Sequence, residues 1–215
     1  WQYDVAMLGQ TIARLDTVDD KYADYLKDYM DYFVRDDGSV RIYKQSDYNL
    51  DHVNPAKGLF TMYRYTGDDR YRKAIEDFIR HLTRQPRTES GGFWHKKIYP
   101  NQMWLDGVYM SSPFMAEYAA AFDQPSWFDT VVYQITLIHS KTRDPFTGLL
   151  YHGWDESREQ KWSDPETGLS PHFWGRAMGW YMMALVDVLE YLPPDHSGYG
   201  ELEEILVNLS NSLLA

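Results

Sequence analysis

Gln102-Met-Trp-Leu-Asp106-Gly-Val-Tyr-Met-Ser-Ser-Pro-Phe-Met-Ala-Glu117 is the stretch on which the reading of this chain turns. A single carboxylate, Asp106, stands at the mouth of a helix, and Gly107 and a run of large apolar residues follow it. An Asp just before such a run is first of all an N-cap, its oxygen accepting a backbone N–H. Trp104, Tyr109 and Met110 give it unusual company, because they would crowd water away from it. Burial favours the protonated form of a carboxyl, whereas a helix N-terminus favours the carboxylate. An acid held between those two pulls suits proton transfer near neutral pH. On this stretch alone the N-cap is the stronger reading.

Working outward, apolar residues recur at helical spacing. The pattern predicts helices over Trp1–Leu15, with Val5, Leu8, Ile12 and Leu15 on one face, and from about Lys21 to Phe33. Further helices are predicted from about Pro55 to Gly67, Arg70–Thr83, Gly107–Phe122, Ser126–Lys141, Trp174–Leu192 and from about Tyr199 onward. Pro55 suits a first helical position, and Pro193-Pro194 stops the seventh helix. Ser39–Tyr43 alternates weakly and reads as a short strand. The order is helix, short turn, helix, long loop, four times over. Asp19-Asp20-Lys21-Tyr22 and Asp68-Asp69-Arg70-Tyr71 echo one another at the turn inside a hairpin. Repeated αα-hairpins build an open solenoid or a closed toroid. The long loops all lead into the first helix of a hairpin, so they gather at one mouth, where binding residues tend to sit.

Composition narrows the function. The chain has 215 residues, enough for a sizeable core, and a formal charge of −11 that disfavours broad polyanion or nucleic-acid binding. It has no cysteine, so disulfide and thiolate chemistry are excluded. No apolar run approaches a membrane span, and the compartment stays open between cytoplasm and periplasm. The start at Trp1 and the apolar helical pattern at the end suggest a piece of a longer chain. Aromatics make up 16 % of residues, with 8 Trp and 18 Tyr, which means a rich core or a surface for stacking flat apolar faces.

At the predicted mouth lie Asp51, Asp106 and the run Pro171-His172-Phe173-Trp174-Gly175-Arg176. Two carboxylates over one cavity would suit acid/base work on a sugar, and two N-caps remain the plainer alternative. Arg176 would pin a substrate carboxylate with its forked donors, or pair structurally with Asp155 or Glu156. Trp104, Trp154, Trp174 and Trp180 are candidates for stacking on sugar rings, with Trp174 and Trp154 the better placed and Trp180 deeper. His95 and His152 are loop histidines beside aromatics. No His/Asp/Glu cluster has metal-ligand spacing, and there is no glycine-rich phosphate loop.

The motifs Gln102-x-Trp104-x-Asp106-Gly107-x-Tyr109-Met110, His152-Gly153-Trp154-Asp155, Asp164-Pro165 and Ser170 to Tyr181 resemble glycoside hydrolase family 105. These are the unsaturated rhamnogalacturonyl hydrolases, related to the unsaturated glucuronyl hydrolases of family 88. The resemblance implies an all-α fold, an (α/α)6 toroid, here a single domain over 1–215 cut short at its C-terminal side. It implies hydration of the C4=C5 bond of a 4,5-unsaturated uronic acid at the non-reducing end of an oligosaccharide, without metal or cofactor. Asp106 matches the family's acid/base and Asp51 its second carboxylate. Arg176, Trp180, Trp174, His152, His95 and Trp104 match substrate-contacting positions. A family 88-like glucuronyl hydrolase and a non-catalytic helical-repeat sugar-binding module are the alternatives.

Overall fold

The computed structural model describes residues 2–14 and 19–215, so Trp1 and Leu15 of the expected first helix lie outside the described residues. Among them are eight α-helices: α1 Gln2–Arg14, α2 Asp20–Phe33, α3 Lys57–Thr66, α4 Asp69–Thr83, α5 Leu105–Ala121, α6 Ser126–Thr142, α7 Gly175–Tyr191 and α8 Tyr199–Leu214. Two three-residue strands, β1 Gln102–Trp104 and β2 Gly153–Asp155, complete the regular structure besides short 3-10 turns. The chain forms two compact units, residues 1–85 and 86–215.

In the first unit the echo between the two Asp-Asp turns is structural. Asp19 and Asp68 each cap a helix, their side chains accepting from Lys21 N and Arg70 N at 3.0 Å. The echo stops at the tyrosines: Tyr22 is exposed, whereas Tyr71 is fully buried and donates to Asp31 of α2, which also pairs with Arg70. α1 and α3 cross where glycine meets glycine. A Cβ on Gly9 would lie 2.9 Å from Gly58 Cα, and Thr61 donates to the Gly9 carbonyl at 2.9 Å. Larger residues there would push the helices apart.

Two expectations change here. Ser39–Tyr43 is not a strand: a tight turn through Gly38 (φ 86°) closes one isolated bridge, Val34 to Val40. The third helix starts not at Pro55 but at Lys57, after a 3-10 turn over Asn54–Ala56.

In the second unit α5 is buried along nearly its whole length, as an all-round apolar helix must be. It packs against α6 and α7, and the fully buried Tyr181 of α7 donates to the Ile135 carbonyl of α6 at 3.1 Å. The loop between α6 and α7 contains one motif twice, Asp-Pro-x-Thr-Gly-Leu at 144–149 and at 164–169. In each copy the Asp accepts from the Thr N–H, at 2.8 Å for Asp144 and 2.7 Å for Asp164. Each turn then closes on a left-handed glycine, Gly148 (φ 75°) or Gly168 (φ 78°).

Candidate active site

The site is built where α5 and α7 begin. β1 runs straight into α5, and it pairs antiparallel with β2, placing Gln102 opposite Asp155, Met103 opposite Trp154 and Trp104 opposite Gly153. Leu105 N, the first residue of α5, donates to the His152 carbonyl at 3.1 Å. The ribbon therefore sets where α5 starts. Its N-cap is Trp104, in extended conformation and without a capping side chain. Asp106 sits inside the first turn, not at the cap, so the N-cap expectation is corrected. Its carboxylate is released from capping and is turned elsewhere.

It is turned toward α7. Arg176, also in a first turn, brings Nη2 to 3.2 Å from Asp106 Oδ1. Asp106 is 8 % exposed, whereas the Arg176 side chain is 52 % exposed. One turn deeper on each helix, Tyr109 and Trp180 stack with centroids 4.8 Å apart. Residues three and four apart share a helix face. The two contacts therefore mean that α5 and α7 run side by side in the same direction, with a charged pair above an aromatic pair.

Asp155 and Glu156, weighed as partners of Arg176, are occupied otherwise. The fully buried Asp155 accepts from Ser157 N, Ser157 Oγ and Gln160 N at 3.0, 2.6 and 2.9 Å, fastening the loop after β2. Glu156 accepts from the N–H and hydroxyl of Ser90.

The aromatic residues divide into wall and core. Trp174 is 44 % exposed; the Arg176 guanidinium lies 3.8 Å from its ring centroid. His152 meets Trp174 edge-on at 5.7 Å, and its Nδ1 lies 3.1 Å from the His172 carbonyl. Trp104 stacks with His95 at 4.5 Å and with Tyr99 at 5.0 Å, and its indole N–H donates to Gln102 Oε1 at 3.2 Å. Trp154 is buried, with its indole N–H on the Thr167 carbonyl. It is a core residue, and its reading as a stacking platform is corrected.

One neighbour of the site, Trp162, escaped the sequence reading, and Gln102 entered it only as part of a motif, without a role. Trp162 approaches Gly153 beside Trp104: a Cβ on Gly153 would lie 3.4 Å from Trp104 Cδ1 and 3.6 Å from Trp162 Cη2. Gln102 orients the Trp104 ring. Neither role has a local signal, because what a loop Trp or a strand Gln does is set by its neighbours in space.

Asp51 belongs to the first unit. It is half-buried in the 3-10 turn Leu50–His52, its N–H donating to Asn49 Oδ1 at 3.0 Å. Among the described residues no three His, Cys, Asp or Glu side chains converge as metal ligands would. No described helix is long and apolar enough to cross a membrane.

The helical hairpins thus bring a buried carboxylate, Asp106, and an arginine, Arg176, together at adjoining helix starts. The comparisons specify the family: the model for Glycosyl Hydrolase Family 88 matches residues 1–215, and the chain belongs to that family. A glycoside hydrolase from family 105 of C. acetobutylicum has the same fold at TM-score 0.91 and 43 % identity, over 99 % of this chain and 58 % of that one. The expected all-α fold class and kinship with family 105 are thereby met. The unsaturated rhamnogalacturonyl hydrolase YesR of Bacillus subtilis is 25 % identical over 93 % of this chain and 56 % of its own length. A 24.9 kDa protein in the picA locus of Rhizobium radiobacter is 41 % identical over 49 % of this chain and 45 % of its own. The chain thus spans about half the length of the curated relatives it matches.

Proposed function

We propose that this protein acts in unsaturated rhamnogalacturonyl hydrolysis, releasing a 4,5-unsaturated uronic acid from the non-reducing end of lyase-generated oligosaccharides. The observation that carries the reading is the buried Asp106 carboxyl set 3.2 Å from a half-exposed Arg176. Family membership and the likeness to the Bacillus subtilis hydrolase support the same substrate class.

In this reading each group has a task. Arg176 is reachable from solvent and offers a planar fork that matches a carboxylate. A substrate uronate competes with Asp106 for it, and when the guanidinium turns to the substrate, Asp106 is free to carry a proton. Asp106 gives that proton to C4, and water adds at C5 with loss of its own proton to the Asp106 carboxylate. The resulting hemiketal opens, the C1–O link to the neighbouring sugar is lost, and the acid is restored. The family resemblance assigns Asp51 the role of second carboxylate. Trp174 and His152 form the exposed wall beside Arg176, with Trp180 beneath; His95 holds Trp104.

The test is the ultraviolet band of the C4=C5 alkene. Incubation with an unsaturated rhamnogalacturonyl disaccharide should erase it, and Asp106→Asn should prevent the loss while the fold is kept. Retention of the band with every unsaturated disaccharide, while ligand still binds, would identify a sugar-binding module instead. The resemblance to the family 88 unsaturated glucuronyl hydrolases leaves one second reading, unsaturated glucuronyl substrates, which a panel of disaccharides separates by rate.

A further inference from the structure

The proposed chemistry makes no use of a crevice in the first unit. It lies between the C-terminal half of α2, the start of α3, α4 and the turn at 40–43, and its walls include Tyr29, Phe33, Tyr43, Leu59 and Phe78. Its volume is about 80 Å³, several times what one water requires.

Three independent features describe its occupant. The first is the aromatic wall, which is held in place. Tyr43 and Phe78 lie 4.4 Å apart and Tyr29 and Phe33 4.8 Å apart. The Tyr43 hydroxyl bonds to His81 Nδ1, and His81 Nε2 meets Gln85 Oε1 at 2.8 Å. A flat apolar ring gains most from such walls, through offset or edge-on stacking. Burial pushes the Tyr29 hydroxyl up to about 12 and that of Tyr43 further, so the walls stay neutral.

The second feature is a cation at the rim. Arg41 lines the crevice and is exposed. Its guanidinium lies 6.0 Å from the Tyr32 ring and forms no ion pair among the described residues. In a chain with a net charge of −11, a lone arginine beside an apolar crevice selects one small anion, not a polyanion.

The third is strain. Ile42 sits at φ 56°, where a β-branched side chain is an outlier, and it is 76 % exposed, so no packing within the described residues repays that conformation. Strained backbone of this kind collects at ligand clamps. Ile42 lines the crevice and would cover the outer edge of a bound ring.

We propose that this crevice binds a small planar aromatic carboxylate, its ring between the tyrosine and phenylalanine walls, its carboxylate on Arg41 and Ile42 closing over the edge. The test titrates the protein with 4-hydroxybenzoate, 4-hydroxybenzyl alcohol and cyclohexanecarboxylate, followed by amide chemical shifts. Shifts should map to the crevice residues, and 4-hydroxybenzoate should bind about fivefold or more tighter than either analogue. Arg41→Gln should bring the benzoate and the alcohol to within about twofold of one another. Ile42→Gly should weaken the benzoate while raising Tm. Both substitutions are at exposed positions, and neither touches the proposed catalytic groups. Failure to shift the crevice amides at millimolar benzoate, equal binding of acid and alcohol by the unaltered protein, or a benzoate-resistant self-association through this face would each overturn the proposal. None of these outcomes depends on hydrolase activity.

Discussion

Asp106 and Arg176 are 70 positions apart in sequence yet stand 3.2 Å apart, each in the first turn of its helix. Neither is spent on a cap, and neither is shared with the loop carboxylates nearby. The pair is the polar feature around which the rest of the second unit's candidate site is arranged.

Asp106→Asn keeps the shape and removes the transferable proton. Turnover of an unsaturated disaccharide should fall by about 10²–10⁴-fold, with Tm little changed. Alkene absorbance and thermal melts of the same preparation check both halves. Asp51→Asn, at the second carboxylate that the family resemblance assigns, should also lower turnover.

Arg176→Lys retains a positive charge but loses the fork and the flat face that rests 3.8 Å from the Trp174 centroid. KM should rise by about tenfold, with a smaller change in kcat, because a charged hydrogen bond to substrate is weakened. Steady-state kinetics separates the two. A fall in kcat at unchanged KM would place Arg176 on the reacting centre instead.

Two glycines with similar backbone angles should respond differently to alanine. Gly67 (φ 70°) closes α3 with nothing within 4 Å of an added Cβ, so Gly67→Ala should cost only the left-handed penalty, about 1 kcal/mol. At Gly168 (φ 78°) the added Cβ would fall 2.2 Å from the Asp155 carbonyl oxygen. Backbone must move, and Gly168→Ala should cost about 3 kcal/mol and loosen the loop leading to Trp174. Denaturant melts and amide exchange over 153–170 read the difference.

Acid should destabilise the fold through two histidines, the buried His81 and the half-buried His139. Burial holds His81 and His139 below the ordinary imidazole value of 6.5, with the charges of His52 and Arg143 acting in the same sense. The unfolded chain therefore binds protons more readily than the native one in the interval below 6.5. Stability is complete above that value and declines as pH falls toward the native values. A plot of Tm against pH should bend downward there, and His81→Gln should flatten part of the bend.

Fold class was written in local pattern. The 3.6-residue apolar period, Asp-Asp hairpin turns and Pro193-Pro194 placed eight helices within a few residues of their observed limits. The three-residue strands β1 and β2 were not legible, because a strand that short has no period to read, and only the pairing of Met103 with Trp154 reveals it. Trp154 in a loop and Trp174 at a helix start read alike as stacking candidates, yet one is buried and the other 44 % exposed. Which side of a loop faces protein is a long-range property.

By itself the sequence determined the hairpins, the acidic, cysteine-free character and the family, since each rests on neighbours along the chain or on a motif. Only the tertiary structure decided that Asp106 lies inside a first turn, that Arg176 is its partner in place of Asp155 or Glu156, and that Tyr109 and Trp180 stack beneath them. The reason is physical. Helix period and capping are set by contacts within a few residues, whereas the choice of ion-pair partner depends on which helix starts the β1–β2 ribbon and the α5–α7 packing bring side by side.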